Sequence, residues 1–206
     1  MMSQSPCTAC IVLAAGRSTR MGAANKLTSD LGGKALVRHT VEAALASTAH
    51  CVLVVTGHQA GAVRDALAGL DVGFAHNPDF ASGLASSLKV GIRALPGNVG
   101  GAMVMLGDMP QLSATHIDRL VEAFAAASGA SIVLPVQQGK RGNPVIWPRD
   151  LFAEMLQLDG DAGAKRLLAA HKDRIREVEM DTDAIFADVD TPEALAAMRR
   201  ERMPRA

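Results

Sequence analysis

Short runs of apolar residues alternate with amphipathic segments along the first part of the chain. Unbroken apolar runs predict strands that are covered on both faces, and the segments between them have the period of helices. The predicted strands occupy residues 8–13, 51–55, 72–76, 102–106 and 131–136, and the predicted helices residues 35–45, 60–68, 84–95 and 114–126. This alternation predicts an α/β protein with a three-layer α/β/α architecture and a mostly parallel sheet joined by right-handed crossovers.

The pattern changes after residue 136. The predicted elements there are a short strand at 144–147, a turn at 160–163 before a helix, an alternating strand at 175–180 and a helix at 191–200. The last helix follows Asp190-Thr191-Pro192-Glu193, a sequence typical of a helix start. Because no repeat, low-complexity tract or long linker divides the chain, we expect a single domain over residues 1–206.

Composition and charge narrow the function classes. The chain has 206 residues, 49% of them hydrophobic, with 21 basic and 21 acidic side chains. A balanced charge gives no bulk attraction for nucleic acid or an anionic membrane, so we expect neither as a partner. The longest apolar stretch, 10–15, is too short to span a bilayer, and residues 1–9 lack the features of a secretory signal. We therefore expect a cytoplasmic protein.

Two of the cysteines, Cys7 and Cys10, have C-x-x-C spacing. A zinc site usually needs a second ligand pair, and none is present at matching spacing. A thioredoxin-like motif would open a helix, whereas Cys10 begins an apolar, strand-like run. The pattern favours ordinary reduced cysteines.

The loop after the first strand suits a triphosphate. It begins Leu13-Ala14-Ala15-Gly16-Arg17, and Arg20 and Lys26 follow. Loops at the carboxyl ends of parallel strands form the ligand crevice of such sheets. The small residues let backbone N–H groups approach phosphates closely, and the three basic side chains supply positive charge.

Two better-known glycine motifs do not fit this loop. A dinucleotide fingerprint requires glycine where Ser18 stands. A Walker loop requires four residues between its glycines and a lysine directly after the second, but five residues separate Gly16 from Gly22, and Ala23 follows.

Two aspartates are candidate metal ligands. Asp108 lies in Gly107-Asp108-Met109-Pro110, directly after the predicted strand 102–106, which puts it at the same sheet edge as the first loop. Mg²⁺ typically uses one or two carboxylates together with phosphate oxygens, which makes Asp108 a natural ligand, although a turn or cap role is open. Asp190 is the second candidate, ahead of Asp188, and it can also cap the final helix.

Three polar residues follow or adjoin other strand ends. Thr56 directly follows the second predicted strand, and Asn77 follows the third and can both donate and accept hydrogen bonds. Ser87 lies in the first turns of the next helix, where helix capping is the alternative role. His58 is better explained as an exposed turn residue than as a catalytic base.

The motifs together resemble a known family. Leu13-Ala14-Ala15-Gly16-x-Ser18-x-Arg20-Met21-Gly22, followed by Asn25-Lys26-Leu27, resembles the N-terminal signature of the nucleotidyltransferase superfamily with the GT-A-like, Rossmann-type fold. With Gly107-Asp108-Met109-Pro110 and Arg141-Gly142-Asn143-Pro144-Val145, the chain is most similar to the MobA-like NTP transferases, and within them to the molybdenum cofactor cytidylyltransferases.

This resemblance implies Mg²⁺-dependent transfer of CMP from CTP to the phosphate of a molybdopterin-type cofactor, with Arg20, Lys26 and Asp108 catalytic. It implies Mg²⁺ ligation by Asp108 and Asp190, and acceptor binding by Arg141, Asn143 and Asp161. The nucleotide-binding set that we expect is Leu13, Ala14, Ala15, Gly16, Arg17, Arg20, Lys26, Thr56, Asn77 and Ser87. Nucleotide-binding residues would occupy about 8–136, and the acceptor side about 137–203.

Several alternatives stay open at this point. A sibling enzyme would use GTP, or another phosphorylated acceptor such as a sugar phosphate. A glycosyltransferase of similar fold has less use for Arg20 and Lys26, and a non-catalytic carrier of the molybdenum cofactor has no use for a triphosphate cradle. A molybdoenzyme or a chaperone is a possible protein partner.

Overall fold

A mixed, mostly parallel sheet forms the centre of the protein. The computed structural model describes residues 6–18, 25–160 and 163–202, and within these ranges the main sheet has eight strands. In chain order the strands are β1 (Thr8–Ala14), β2 (Asp30–Leu31), β3 (Lys34–Ala35), β4 (Cys51–Thr56), β5 (Gly73–His76), β6 (Gly101–Leu106), β7 (Ile132–Gln137), β8 (Lys140–Arg141), β9 (Val145–Pro148) and β10 (Ile175–Glu179). Strands β2 and β3 form a separate antiparallel hairpin, and the others belong to the main sheet.

The strand order explains where a ligand crevice can form. The order is β10-β7-β9-β6-β1-β4-β5, and β8 pairs with β7 outside this path. Strand β1 is parallel to both β4 and β6, and β4 is parallel to β5, so the carboxyl ends of these strands meet at one edge. Strand β9 runs antiparallel between β6 and β7, because the chain reverses direction at the turn between β7 and β8 and keeps the new direction through β9. The sheet confirms the predicted fold class.

Helices cover both faces of the sheet. They are α1 (Leu36–Leu45), α2 (Ala60–Ala66), α3 (Leu84–Ala94), α4 (Ala114–Ala126), α5 (Phe152–Met155), α6 (Gly163–Ala170) and α7 (Pro192–Arg202). Within the described ranges, no helix is both long enough and apolar enough to cross a membrane.

Alternating residues of β1 contribute to two apolar cores. Cys10 and Val12 belong to the core that includes side chains of α1, α2, α4 and α7. Ile11 and Leu13 belong to the core that includes side chains of α3, α5 and α6. Because successive side chains of a strand point to opposite faces, an apolar run without polar interruptions is what a sheet covered on both faces requires.

The predicted strands and helices are found, with ends that differ by one or two residues. The hairpin β2–β3, strand β8 and helix α5 were not predicted, because two to four residues are too few to show a period. The organisation as one domain stays a prediction.

Candidate active site

A cleft of about 340 Å³ lies at the carboxyl edge of the sheet, where β1 and β6 end. Its walls come from the loop after β1, the end of β6, the start of α3 and the segment before α7. It is lined by Leu13, Ala15, Gly16, Ser18, Lys26, Leu27, Phe80, Gly83, Leu84, Ser87, Leu106, Asp108 and Asp190. The parallel topology therefore brings residues from distant parts of the sequence to one site.

Two glycines allow the loops of the cleft to pack closely. The Gly107 N–H donates to the carbonyl of Leu13 at 3.0 Å, and a Cβ on Gly107 would lie only 3.1 Å from that oxygen. A Cβ on Gly57 would lie 2.8 Å from the Cβ of Ala15 and 2.7 Å from that of Phe80. Any larger residue at Gly57 would push the first loop away from Phe80.

Ser18 connects the first loop to Lys26. Its hydroxyl oxygen accepts a hydrogen bond from the Lys26 N–H at 3.2 Å, and its backbone is in the left-handed region, with φ 53°. Lys26 begins a 3₁₀ helix that Asn25 caps, since the Asn25 Oδ1 accepts from the Leu27 N–H at 3.0 Å. These contacts hold the backbone of Lys26 on both sides.

The side chain of Lys26 bridges two carboxylates in the cleft. Its Nζ lies 2.5 Å from Oδ2 of Asp108 and 2.6 Å from Oδ1 of Asp190. The two aspartates are on different loops, which a hydrogen bond of 3.0 Å from the Val189 N–H to the Asp108 carbonyl joins. The final helix also has a cap contact from Thr191, whose hydroxyl oxygen accepts from the Ala194 N–H at 3.2 Å.

Asp108, Asp188 and Asp190 can together hold a metal ion. One oxygen of each lies within 4.8 Å of the others. Oδ1 of Asp108 is buried and makes no hydrogen bond to any residue that the structure describes. A buried carboxylate oxygen without a donor is costly, and a cation satisfies it. Three carboxylates suit a hard, oxygen-liganded cation such as Mg²⁺, so the residues present fit the metal that the resemblance implies.

Burial and charge perturb the pKa values of this cluster. Burial raises the pKa of Asp108 above its ordinary range, and the nearby Asp188 adds to this, against the opposing effect of the Lys26 ammonium. Burial alone would lower the pKa of Lys26, but attraction and hydrogen bonding from Asp108 and Asp190 outweigh it and raise that pKa. Lys26 is therefore a cation at neutral pH.

The other predicted nucleotide-binding residues divide into two groups. Leu13, Ala15, Gly16 and Ser87 line the cleft together with Lys26. The remaining described ones, Ala14, Arg17, Thr56 and Asn77, are not among the lining residues. Arg20 lies outside the described residues.

Asn77 and Thr56 are buried behind the cleft wall. The Asn77 Nδ2 donates to the hydroxyl oxygens of Ser86 and Ser87, at 2.8 and 2.9 Å. Thr56 is fully buried, and its hydroxyl donates to the Ala75 carbonyl at 3.4 Å. In this geometry Asn77 orients Ser87, which faces the cleft, rather than facing the cleft itself.

Sequence reasoning missed the aromatic and apolar walls. Phe80 lines the cleft, and the guanidinium carbon of Arg17 lies 5.5 Å from the centre of its ring. Leu84, the first residue of α3, is 43% exposed and lines both the cleft and the cavity beside it. Single exposed leucines are common on protein surfaces, so only its place in the cleft wall, which the structure shows, makes it a candidate contact.

A second cavity of about 520 Å³ adjoins the cleft. The two share Leu13, Leu84 and Leu106 in their linings. Apolar residues, among them Trp147, make up most of its wall, with Arg141, Asn143 and Lys165 as polar members. The Arg141 Nε also donates to Oε1 of Glu177 at 2.8 Å.

Two of the three expected acceptor-binding residues, Arg141 and Asn143, are thus near each other beside the cleft. The third, Asp161, lies outside the described residues. Lys165, four positions further along the chain, was not in the expected set.

Comparison with known proteins gives a family match. The model of the MobA-like NTP transferase domain matches residues 10–175. The chain is 40% identical over 129 residues to "Bifunctional protein GlmU" of Kineococcus radiotolerans, a match that covers 61% of this chain but only 26% of that protein. The chain thus spans about a quarter of that relative's length.

Other relatives match over nearly their whole length. "Purine catabolism protein PucB" of Bacillus subtilis is 32% identical, with 96% of this chain and 98% of that protein covered. "Molybdenum cofactor cytidylyltransferase" of Escherichia coli is 27% identical, with 89% and 91% covered.

Solved structures have the same fold. A nucleotidyl transferase from Methanothermobacter thermautotroptrophicus superposes with a TM-score of 0.80 at 25% identity, and covers 95% of this chain and 97% of that one. Rv0371c of Mycobacterium tuberculosis, in complex with manganese, superposes with a TM-score of 0.77 at 26% identity, with 94% and 98% covered.

Proposed function

The chain belongs to the MobA-like NTP transferase family, and we propose that it transfers CMP from CTP to the phosphate of a molybdopterin-type molybdenum cofactor and releases pyrophosphate. The observation that carries the proposal is the cluster of Lys26, Asp108 and Asp190 in the cleft at the end of β1. A cation and carboxylates at this place suit a metal-bound triphosphate. A cytoplasmic location, expected from the sequence, stays a prediction.

The reaction joins one oxygen to phosphorus and releases another. An oxygen of the acceptor phosphate forms a bond to the α-phosphorus of the NTP, and the bond from that phosphorus to the pyrophosphate oxygen breaks. The nucleophile is already anionic at neutral pH, so the reaction requires no general base. Catalysis then depends on positioning and on neutralising charge.

The residues of the cleft have separate roles in this scheme. Asp108 and Asp190, with Asp188 beside them, would hold Mg²⁺. When bound, Mg²⁺ supplies positive charge to the phosphate oxygens. Lys26 donates to oxygens of the transferred and leaving phosphates, and the small residues of the first loop expose backbone N–H groups to them. Ser87, oriented by Asn77, faces the ribose or the base.

The second cavity is the proposed acceptor site. It adjoins the nucleotide cleft through shared lining residues, so a molecule bound there can reach the α-phosphate. Arg141 presents a planar guanidinium that suits a phosphate, and Trp147 contributes an apolar wall for a ring system. The similarity to the E. coli "Molybdenum cofactor cytidylyltransferase" over 89% of the chain supports CTP and this acceptor.

Two alternatives differ in one substrate each. A guanylyltransferase would use the same phosphate-binding residues with GTP. An enzyme with another phosphorylated acceptor, such as a sugar phosphate, would use the same cleft with different contacts in the second cavity. A carrier of the cofactor would bind the acceptor without cleaving an NTP.

Pyrophosphate release decides between these functions. Purified protein is incubated with Mg²⁺ and each NTP in turn, with the molybdenum cofactor, with a sugar phosphate or with no acceptor. We expect release that needs both CTP and the molybdenum cofactor. A clear preference for GTP would overturn the cytidylyl assignment, release with the sugar phosphate alone would overturn the acceptor, and no release with any pair would favour the carrier.

A further inference from the structure

The ammonium group of Lys26 lies between the carboxylates to which the proposed function assigns the metal. We propose that Lys26 acts as an exchangeable internal cation: it holds Asp108 and Asp190 together before the metal binds, and its side chain moves to the triphosphate when the metal enters. This inference depends on the proposed function, and it adds that metal and nucleotide bind to the protein in a coupled manner.

Distances exclude simultaneous occupancy of the same oxygens. The Nζ of Lys26 is 2.5 Å from Oδ2 of Asp108 and 2.6 Å from Oδ1 of Asp190. Mg²⁺ binds carboxylate oxygens at roughly 2.0–2.1 Å, so an ion that bridged these two atoms would overlap the ammonium group. Two cations so close together would also repel each other strongly in a part-buried site.

Electrostatics explains why a cation is needed there at all times. The side chains of Lys26 and Asp108 are only 14% and 12% exposed, so water cannot fully solvate the charges. Without a cation, Asp108 and Asp190 would repel each other, and Asp188 adds a third negative charge to the cluster. Lys26 removes this repulsion in the protein that has not yet bound a metal.

The backbone around Lys26 permits this exchange without refolding. The Lys26 N–H donates to Ser18, and Asn25 caps the following turn, so both contacts can persist while the side chain rotates. A lysine has four flexible carbons and three donors, which suit a change of partner. The small residues of the first loop, Ala15 and Gly16, line the same cleft and leave room for the phosphates that would receive the ammonium.

Coupling follows from this competition. A metal that takes Oδ2 of Asp108 and Oδ1 of Asp190 without nucleotide must displace Lys26 with no new partner for the ammonium, so its affinity is low. An ion held only through Oδ1 of Asp108 would leave Lys26 in place and would show no such competition. A triphosphate offers Lys26 a new anionic partner, and the metal then enters at a smaller cost. By reciprocity, the metal raises the affinity for the triphosphate by the same factor.

Mn²⁺ titration without nucleotide tests the exchange. Free Mn²⁺ is measured by electron paramagnetic resonance in wild type, Lys26→Met and Lys26→Gln. Both variants should bind Mn²⁺ roughly tenfold to a hundredfold more tightly than wild type does. This factor corresponds to one charge-assisted contact, because the Lys26 ammonium no longer competes with the metal for the carboxylates. The matched control is Lys34→Met, because Lys34 forms a similar 2.7 Å pair with Glu42 away from the cleft. An increase in both Lys26 variants but not in the control supports the exchange, and affinities equal to wild type overturn it.

A second measurement uses the wild-type side chain, in case the variants fold poorly. Lysines are labelled by reductive ¹³C-methylation, and Mg²⁺ is added without nucleotide. The Lys26 signal, assigned by its absence in Lys26→Gln or Lys26→Arg, should shift while that of Lys34 does not. An unchanged Lys26 signal at a Mg²⁺ concentration that saturates the protein would overturn the exchange.

The double variant Lys26→Met with Asp108→Asn separates the two proposals. If Asp108→Asn removes the Mn²⁺ site of Lys26→Met, the metal assignment of the proposed function stands, whatever the effect of Lys26. If the double variant binds Mn²⁺ as well as Lys26→Met does, the metal is elsewhere, and the metal assignment and the exchange are both overturned.

Discussion

Asp108→Asn separates catalysis from stability at this site. The change keeps the shape of the side chain and removes one negative charge. In the folded protein, Oδ2 of Asp108 contacts the Lys26 ammonium and Oδ1 is buried without a hydrogen-bond partner in the described part of the chain. A neutral amide is a weaker ligand for Mg²⁺ than a carboxylate.

The expected effects on the two properties differ in size. Loss of one preorganised electrostatic contact should lower turnover by roughly 10²–10³-fold, or about 3–4 kcal/mol. The free energy of unfolding should change by no more than about 1 kcal/mol, which is the net contribution of one hydrogen bond. The reason is that burial raises the pKa of Asp108, which means that the fold disfavours the ionised form relative to the unfolded chain. A neutral side chain therefore loses little stability there.

The assay pairs kinetics with thermal melting. Pyrophosphate release is measured with CTP and the molybdenum cofactor at saturating Mg²⁺, and the melting temperature is measured on the same preparation. The matched control is Asp150→Asn, which removes the same charge from an exposed pair with Arg174 at 2.9 Å. Wild-type turnover in Asp108→Asn would refute the assignment, and so would an equal loss of turnover in Asp150→Asn.

Two further predictions concern the second cavity and the cysteines. Arg141→Ala should raise the KM for the acceptor about tenfold, because one charge-assisted contact is lost, and should leave the KM for CTP unchanged. Steady-state kinetics with each substrate varied measure both values, and an unchanged acceptor KM would contradict the prediction. Trp147 is the only tryptophan and lines the second cavity, so its fluorescence can be used to titrate the acceptor into wild type and into Arg141→Ala. Cys10 should react with thiol reagents far more slowly than Cys7 and Cys51, because it is fully buried and burial raises its pKa to about 12. The protein is labelled briefly and the modified cysteines are identified by mass spectrometry. Modification of Cys10 before the other two would contradict the prediction.

The parts of the site that follow a strand could be predicted from the sequence. Leu13 and Leu106 pair in register at the ends of β1 and β6. Ala15 and Asp108, two positions further along each chain segment, must therefore lie near each other. That inference needs only the rule that parallel strands end at the same edge. Lys26 was expected in the same crevice because it follows the first loop closely in the sequence and belongs to Asn25-Lys26-Leu27, which carries the family resemblance.

Other features depend on contacts that no local pattern contains. Lys26 and Asp190 are 164 positions apart, and the segment that carries Asp190 is held at the cleft by the hydrogen bond from the Val189 N–H to the Asp108 carbonyl. The amide of Asn77 was expected at the nucleotide, but burial turns it toward Ser86 and Ser87. Phe80 has no motif of its own, and it is placed in the cleft by packing on Gly57.

The difference between the two cavities explains why the donor side is easier to predict than the acceptor side. The proposed nucleotide cleft is built mainly from short loops at strand ends, whose small and charged residues would contact a triphosphate that is the same in every NTP. The second cavity takes apolar side chains from several separate elements, among them Trp147 of β9 and Leu168 of α6. Apolar residues there satisfy ordinary packing as well as ligand binding, so no spacing marks them. Under the proposed function, substitution in this wall would change the acceptor without disturbing Lys26 or Asp108.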